Sequence, residues 1–125
     1  MSIRESGEDY LEAILILSMQ QEQVRSIDVA GFLGVTKPSV SRAMSILKAK
    51  GFVVADSNGA LILTDKGMDV AQSMYERHKL LTEFLVSLGV SRETAAEDAC
   101  RIEHVISEES FELLRNHAQE KIGSN

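Results

Sequence analysis

The chain has 125 residues, 44% of them hydrophobic and 26% charged, which suits one domain or two small ones sharing a core and excludes wholesale disorder. No apolar run reaches the roughly 18 residues of a membrane span, and the start, Met1-Ser2-Ile3-Arg4-Glu5, has no apolar signal core; a soluble, cytoplasmic protein is expected. The single Cys100 excludes an intramolecular disulfide framework and suits a reducing compartment. With 13 Lys and Arg against 19 Asp and Glu, the net charge of −6 argues against indiscriminate nucleic-acid binding.

Taken in chain order, apolar residues recur at helical spacing over about residues 6 to 21 (Tyr10, Leu11, Ile14, Leu15, Leu17) and predict a first helix. Ser26 is expected to cap a short second helix through Leu33, with Ile27, Ala30 and Leu33 inside and Gly34 as its stop. Thr36-Lys37-Pro38 opens a third helix, because a missing N–H costs nothing in a first turn. Its inner face is Val40, Ala43, Met44 and Leu47, turning Ser39, Ser41, Arg42, Ser45 and Lys48 outward until Gly51 ends it. Residues 52–55 and 60–63 read as two strands, with Asn58-Gly59 suited to a tight hairpin turn.

Thr64 can cap a long helix from Asp65 to Leu88, along which Ala71, Met74, His78, Leu81, Leu85 and Leu88 form a packing seam closed by Gly89. Ser91 opens a further helix with Ala95, Ala99, Ile102 and Ile106 inside, and Ser107 caps a last one with Phe111, Leu114, Ala118 and Ile122 inside. The fold class expected is mainly α with a small β-hairpin: a winged helix-turn-helix over residues 1–70, then a helical unit over 71–125, with the long helix of about 65–88 shared.

The charge follows this division. From Val29 to Ala55 there is no acidic residue, yet Lys37, Arg42, Lys48 and Lys50 give the window +4 and leave −10 for the remainder. Between Glu93 and Glu112, seven acids face one base, Arg101. In a winged helix-turn-helix the third helix enters the major groove. Lys37, Pro38, Ser39, Ser41, Arg42, Ser45 and Lys48, with Asn58 at the wing tip, are therefore the candidate DNA contacts, Arg42 and the serines near base edges and the lysines on phosphates. A solvated face, or a winged helix that binds protein, is the alternative.

Metal-type donors gather in three places. Asp9 and Glu12 stand at i, i+3 on the first helix; His78 interrupts the apolar seam; Cys100, Glu103 and His104 share a face of the acidic helix. Carboxylate, imidazole and thiolate together suit iron, cobalt or zinc, with manganese favoured as oxygen donors predominate. Taken singly each has a structural reading: helix-start acids, a core histidine, a small buried thiol, a surface pair. Their combination on faces expected to be partly buried, where unpaired charge is costly, favours ligands.

Five segments carry a family resemblance: Glu8-Asp9-Tyr10-Leu11-Glu12-Ala13-Ile14, Thr36-Lys37-Pro38-Ser39-Val40-Ser41, Leu63-Thr64-Asp65-Lys66-Gly67, Arg77-His78-Lys79-Leu80-Leu81, and residues 99–107, Ala-Cys-Arg-Ile-Glu-His-Val-Ile-Ser. In order and separation they resemble the diphtheria toxin repressor and manganese transport regulator family. The resemblance implies a homodimeric, metal-dependent repressor that binds double-stranded operator DNA and senses Fe2+ or Mn2+, with Co2+, Ni2+ or Zn2+ as substitutes in vitro. By residue match, Asp9, Glu12, His78, Cys100, Glu103 and His104 fall on its metal-ligand positions.

The match is mixed between branches. Asp9 follows the manganese branch and Cys100 the iron branch, while Ala96 and Thr82 stand where the iron branch's second site has a histidine and a carboxylate. One principal metal per subunit is expected, ferrous iron slightly ahead of manganese. No enzyme activity, membrane or small organic substrate is expected. The alternatives are a winged-helix regulator answering to an organic ligand or protein partner, and a small metal-dependent hydrolase.

Overall fold

The structure, a computed structural model, describes residues 3–123 of the chain, without the side chains of 3–6, 119 and 121–123. Its elements are α1 (Ile3–Gln20), α2 (Ser26–Leu33), α3 (Lys37–Ala49), β1 (Val53–Ala55), β2 (Leu61–Leu63), α4 (Asp65–Ser87), α5 (Arg92–Val105) and α6 (Glu108–Gly123). They form two compact units, divided within α4 between Ser73 and Met74. Among the described residues, no helix is long and apolar enough to cross a membrane.

In the first unit α1 packs against α2, α3 and β2. Leu11, Ile14, Val29, Val40 and Val53 are almost completely buried there. Thr36 caps α3 by accepting the Ser39 N–H at 3.3 Å, as its position before Lys37-Pro38 predicts. At α2 the expectation changes in two respects. Ser26 is the first helical residue rather than the cap, and the start is held by Asp28, whose carboxylate accepts the Arg25 N–H at 2.9 Å. Ile27 is 57% exposed, and the buried side chains are Val29 and Ala30. In eight residues dominated by apolar side chains, spacing alone does not select the inner face.

β1 and β2 pair antiparallel, Val53 opposite Leu63 and Ala55 opposite Leu61. Five residues, 56–60, therefore separate the paired strands, one more than the four-residue turn over 56–59 expected. The Asp56 carboxylate organises the loop, accepting the N–H groups of Asn58 at 2.8 Å and Ala60 at 2.9 Å. Gly59, at φ 83°, supplies the left-handed residue.

The start of α4 is fastened to the α3–β1 turn. Thr64 Oγ1 accepts the Gly67 N–H at 3.1 Å and donates to the Gly51 carbonyl at 2.6 Å. Lys66 Nζ donates to the Lys50 carbonyl at 3.0 Å and lies 4.4 Å from the centre of the Phe52 ring. These contacts account for the segment Thr64-Asp65-Lys66-Gly67 as a cap and a close backbone approach.

The second unit is the later part of α4 with α5 and α6. Leu81, Ala99 and Phe111 form its buried centre, with Leu80, Ile102, Ile106 and Leu114 packed around them. Ser91 and Ser107 cap α5 and α6 as expected, accepting the N–H groups of Thr94 at 3.4 Å and Ser110 at 3.0 Å. The seam on α4 stops short of its expected end: the helix closes at Ser87 and Leu88 is 57% exposed. Ile122, expected inside α6, lies outside the described side chains.

Candidate metal centre and nucleic-acid interface

The second unit places two of the expected donors in contact. His78, on α4, and Glu103, on α5, lie 3.0 Å apart between Nδ1 and Oε1. Glu103 is fully buried, whereas His78 is partly buried. The second carboxylate oxygen of Glu103, Oε2, is buried with no hydrogen-bond partner among the described residues. A desolvated carboxylate oxygen without a donor is costly, and a divalent cation would satisfy it where an N–H does not. The donor set fits a divalent metal on that ground.

His104 follows Glu103 on α5 and is partly buried; Cys100, expected beside the apolar stripe, is exposed. On α1 of the first unit, Glu12 is buried at 7% exposure and Asp9 is partly buried. The spacing of three puts both carboxylates on one side of that helix. His117, in α6, meets Phe84 edge-on with ring centres 6.2 Å apart, which suits a packing histidine.

On the first unit, α3 exposes Lys37, Pro38, Ser41, Arg42, Ser45 and Lys48. Ser39 is partly buried, and its hydroxyl accepts a hydrogen bond from Thr36 at 2.9 Å, so it is engaged at the helix start. Arg42, Lys50 and Lys66 border an open groove of about 1040 Å³ floored by Leu11, Leu47 and Phe52. The wing tip is tethered from outside the hairpin. Arg25 donates to the Asn58 carbonyl at 2.5 Å, while the Leu61 N–H reaches the Val24 carbonyl at 2.7 Å. Nothing local in the sequence marks Arg25, whose partner is 33 positions away.

A helix-turn-helix with a wing, followed by a helical unit holding a buried carboxylate against an imidazole, defines a DNA-binding protein of the metal-responsive kind. The family model for the iron dependent repressor N-terminal DNA binding domain matches residues 2–61, and that for the iron dependent repressor metal binding and dimerisation domain matches residues 64–120. The transcriptional regulator MntR of Salmonella typhimurium is 35% identical over 117 residues, covering 94% of this chain and 74% of the relative. An uncharacterised HTH-type transcriptional regulator of Methanocaldococcus jannaschii is 33% identical over 113 residues, covering 89% of this chain and 90% of its own. Among solved structures, the manganese regulator SloR is similar at a TM-score of 0.78 and 28% identity; the match covers 95% of this chain and 54% of SloR, so this chain spans about half its length. The chain belongs to the iron-dependent repressor family.

Proposed function

We propose that the chain is a homodimeric, cytoplasmic, metal-dependent repressor of metal-homeostasis genes, binding operator DNA when Fe2+ or Mn2+ is held by Asp9, Glu12, His78, Cys100, Glu103 and His104. The observation that carries this reading is Glu103, buried against His78 with Oε2 lacking a donor. Bound, the cation supplies positive charge and a common point for donors on separate helices. Glu103 and His78 provide two donors of the set from α5 and α4, and Asp9 and Glu12 provide two from α1. Through α1, the exposed residues of α3 in two copies are held near the spacing of one turn of B-DNA, about 34–36 Å. Arg42 meets a base edge, while Lys37 and Lys48 meet phosphates.

The mixed donor set supports one principal metal per subunit. Cys100 pulls toward ferrous iron and Asp9 toward manganese, so the two are the candidate effectors.

The test is a titration of the protein against its own promoter DNA, with Mn2+, Fe2+ or excess chelator. Tight binding only with metal is expected, and DNA must tighten metal binding by the same factor that metal tightens DNA binding. Binding indifferent to chelator would instead favour control by an organic ligand or protein partner. Metal uptake without DNA binding would favour a metallohydrolase.

A further inference from the structure

Next to His78 on α4 stands a cation that the metal set does not use. Arg77 is only 9% exposed. Its Nη1 donates to the carbonyl of Glu103 at 3.1 Å and to that of Ile106 at 3.2 Å. Nη2 lies 3.8 Å from the Glu108 carboxylate, and the guanidinium carbon is 5.2 Å from the centre of the buried Phe111 ring. One side chain thus reaches the end of α5, the residue after it, and the first turn of α6.

The end of a helix leaves its last carbonyls without intrahelical donors. In α5 the Ile102 carbonyl is taken by the Ile106 N–H, whereas the Glu103 carbonyl receives Arg77. A guanidinium suits this position twice over: Nη1 alone carries two N–H groups and gives them to the two carbonyls while Nη2 stays turned to Glu108, and the fixed charge complements the negative end of the helix dipole. The Phe111 ring, its centre 5.2 Å from the guanidinium carbon, attracts the cation and limits where it can lie.

We infer that Arg77 is the positioning residue of the metal centre: by gripping the final turn of α5 from α4, it sets the orientation of Glu103 and His104 toward its neighbour His78 before any cation arrives. The inference rests on the metal-binding reading above. The cost of ordering these donors is met at folding, so less of the binding energy is lost to it. Arg77 itself touches no cation.

The test uses the full chain without DNA. Mn2+ affinity is measured by titration calorimetry, and the Co2+ d–d spectrum reports ligand geometry. Arg77→Met should weaken Mn2+ binding by about 10- to 100-fold, the usual loss when a residue orienting a ligand is removed, and alter the Co2+ spectrum. Arg77→Lys keeps the charge but not the rigid planar group that fixes Nη1 between the two carbonyls, so it should restore the melting temperature more fully than the Mn2+ affinity. Glu108→Gln, which removes only the exposed ion pair, should leave affinity unchanged. Wild-type affinity and spectrum in either Arg77 variant would overturn the inference, as would restoration of affinity and stability together by Lys.

Hydrogen exchange on the metal-free wild type decides the matter even if a variant fails to fold. The amides of residues 102–106 should already be protected as well as those at the middle of α5. A last turn that becomes protected only on adding Mn2+ would overturn the inference. Wild-type protein that binds neither Mn2+ nor Co2+ would sink the metal-binding reading instead, a separate result.

Discussion

His78 Nδ1 lies 3.0 Å from one oxygen of the buried Glu103 carboxylate, and the other oxygen has no hydrogen-bond partner among the described residues. The metal-free protein therefore holds a buried carboxyl group with one oxygen uncompensated among the described residues. Glu103→Gln keeps the shape and removes the charge. The metal-free variant should be more stable than metal-free wild type by about 1–3 kcal/mol, the usual scale for an unsatisfied buried polar group. Wild type should gain about 2.7 kcal/mol at a metal concentration 100 times its Kd, and the variant far less. Thermal melts with and without Mn2+ check both; a variant stabilised by Mn2+ as strongly as wild type would remove Glu103 from the ligand set.

An added Cβ on Gly67 would sit 2.0 Å from the backbone oxygen of Phe52. Relief requires α4 to move away from the start of β1, because a main-chain carbonyl does not rotate aside like a side chain. Gly67→Ala should destabilise the protein by about 1–3 kcal/mol or more, the range for overpacked sites, despite alanine's better helix propensity. Chemical denaturation measures it, and a neutral or stabilising result would contradict the close approach.

The exposed residues of α3 should separate into two behaviours. Arg42→Ala should cost about 1–3 kcal/mol of operator affinity and relax preference at one position per half-site. Lys48→Ala should weaken all sequences alike and flatten the dependence on salt, as expected for a lost phosphate contact. Anisotropy titrations over a set of single-base operator variants distinguish them. Equal losses on every operator for Arg42→Ala would reassign it to the backbone.

The Arg92 side chain holds the Glu83 carboxylate at 2.6 Å and 3.3 Å through its two terminal nitrogens. This hydrogen bonding lowers the Glu83 pKa from the ordinary glutamate range, opposed by desolvation and assisted by the Arg92 charge, and correspondingly raises that of Arg92. Because the folded-state carboxyl pKa is depressed, the stabilisation is present above the unfolded value and lost as pH falls through the folded one. Exposure of the pair keeps the contribution small and salt-sensitive. Glu83→Gln should flatten this part of the acid limb of a pH–stability curve at low salt, and the difference from wild type should shrink at 1 M NaCl.

Local signals carried most of the helices. Thr36, Ser91 and Ser107 act within three residues of themselves, and the structure uses each as a cap. Residues whose partners are distant were harder to read. Arg77 sits on an amphipathic helix where a surface role is the ordinary expectation, and only the packing of α5 and α6 reveals carbonyls 26 and 29 positions away. The wing is legible to within one residue: Asp56 captures the N–H of Ala60 as well as that of Asn58 and so draws Ala60 from the strand into the loop. The burial of Glu103 was partly legible, since it lies beside an apolar stripe; the exposure of Cys100 was not.

The tether from Arg25 grips the main-chain carbonyl of Asn58, not its side chain. A carbonyl is offered by every amino acid, so replacing residue 58 leaves the hinge of the wing fastened. Placement of the wing and the chemistry at its tip are thereby uncoupled. On the proposal that residue 58 touches the operator, substitutions at this one position should change operator preference without the loop having to find a new anchor.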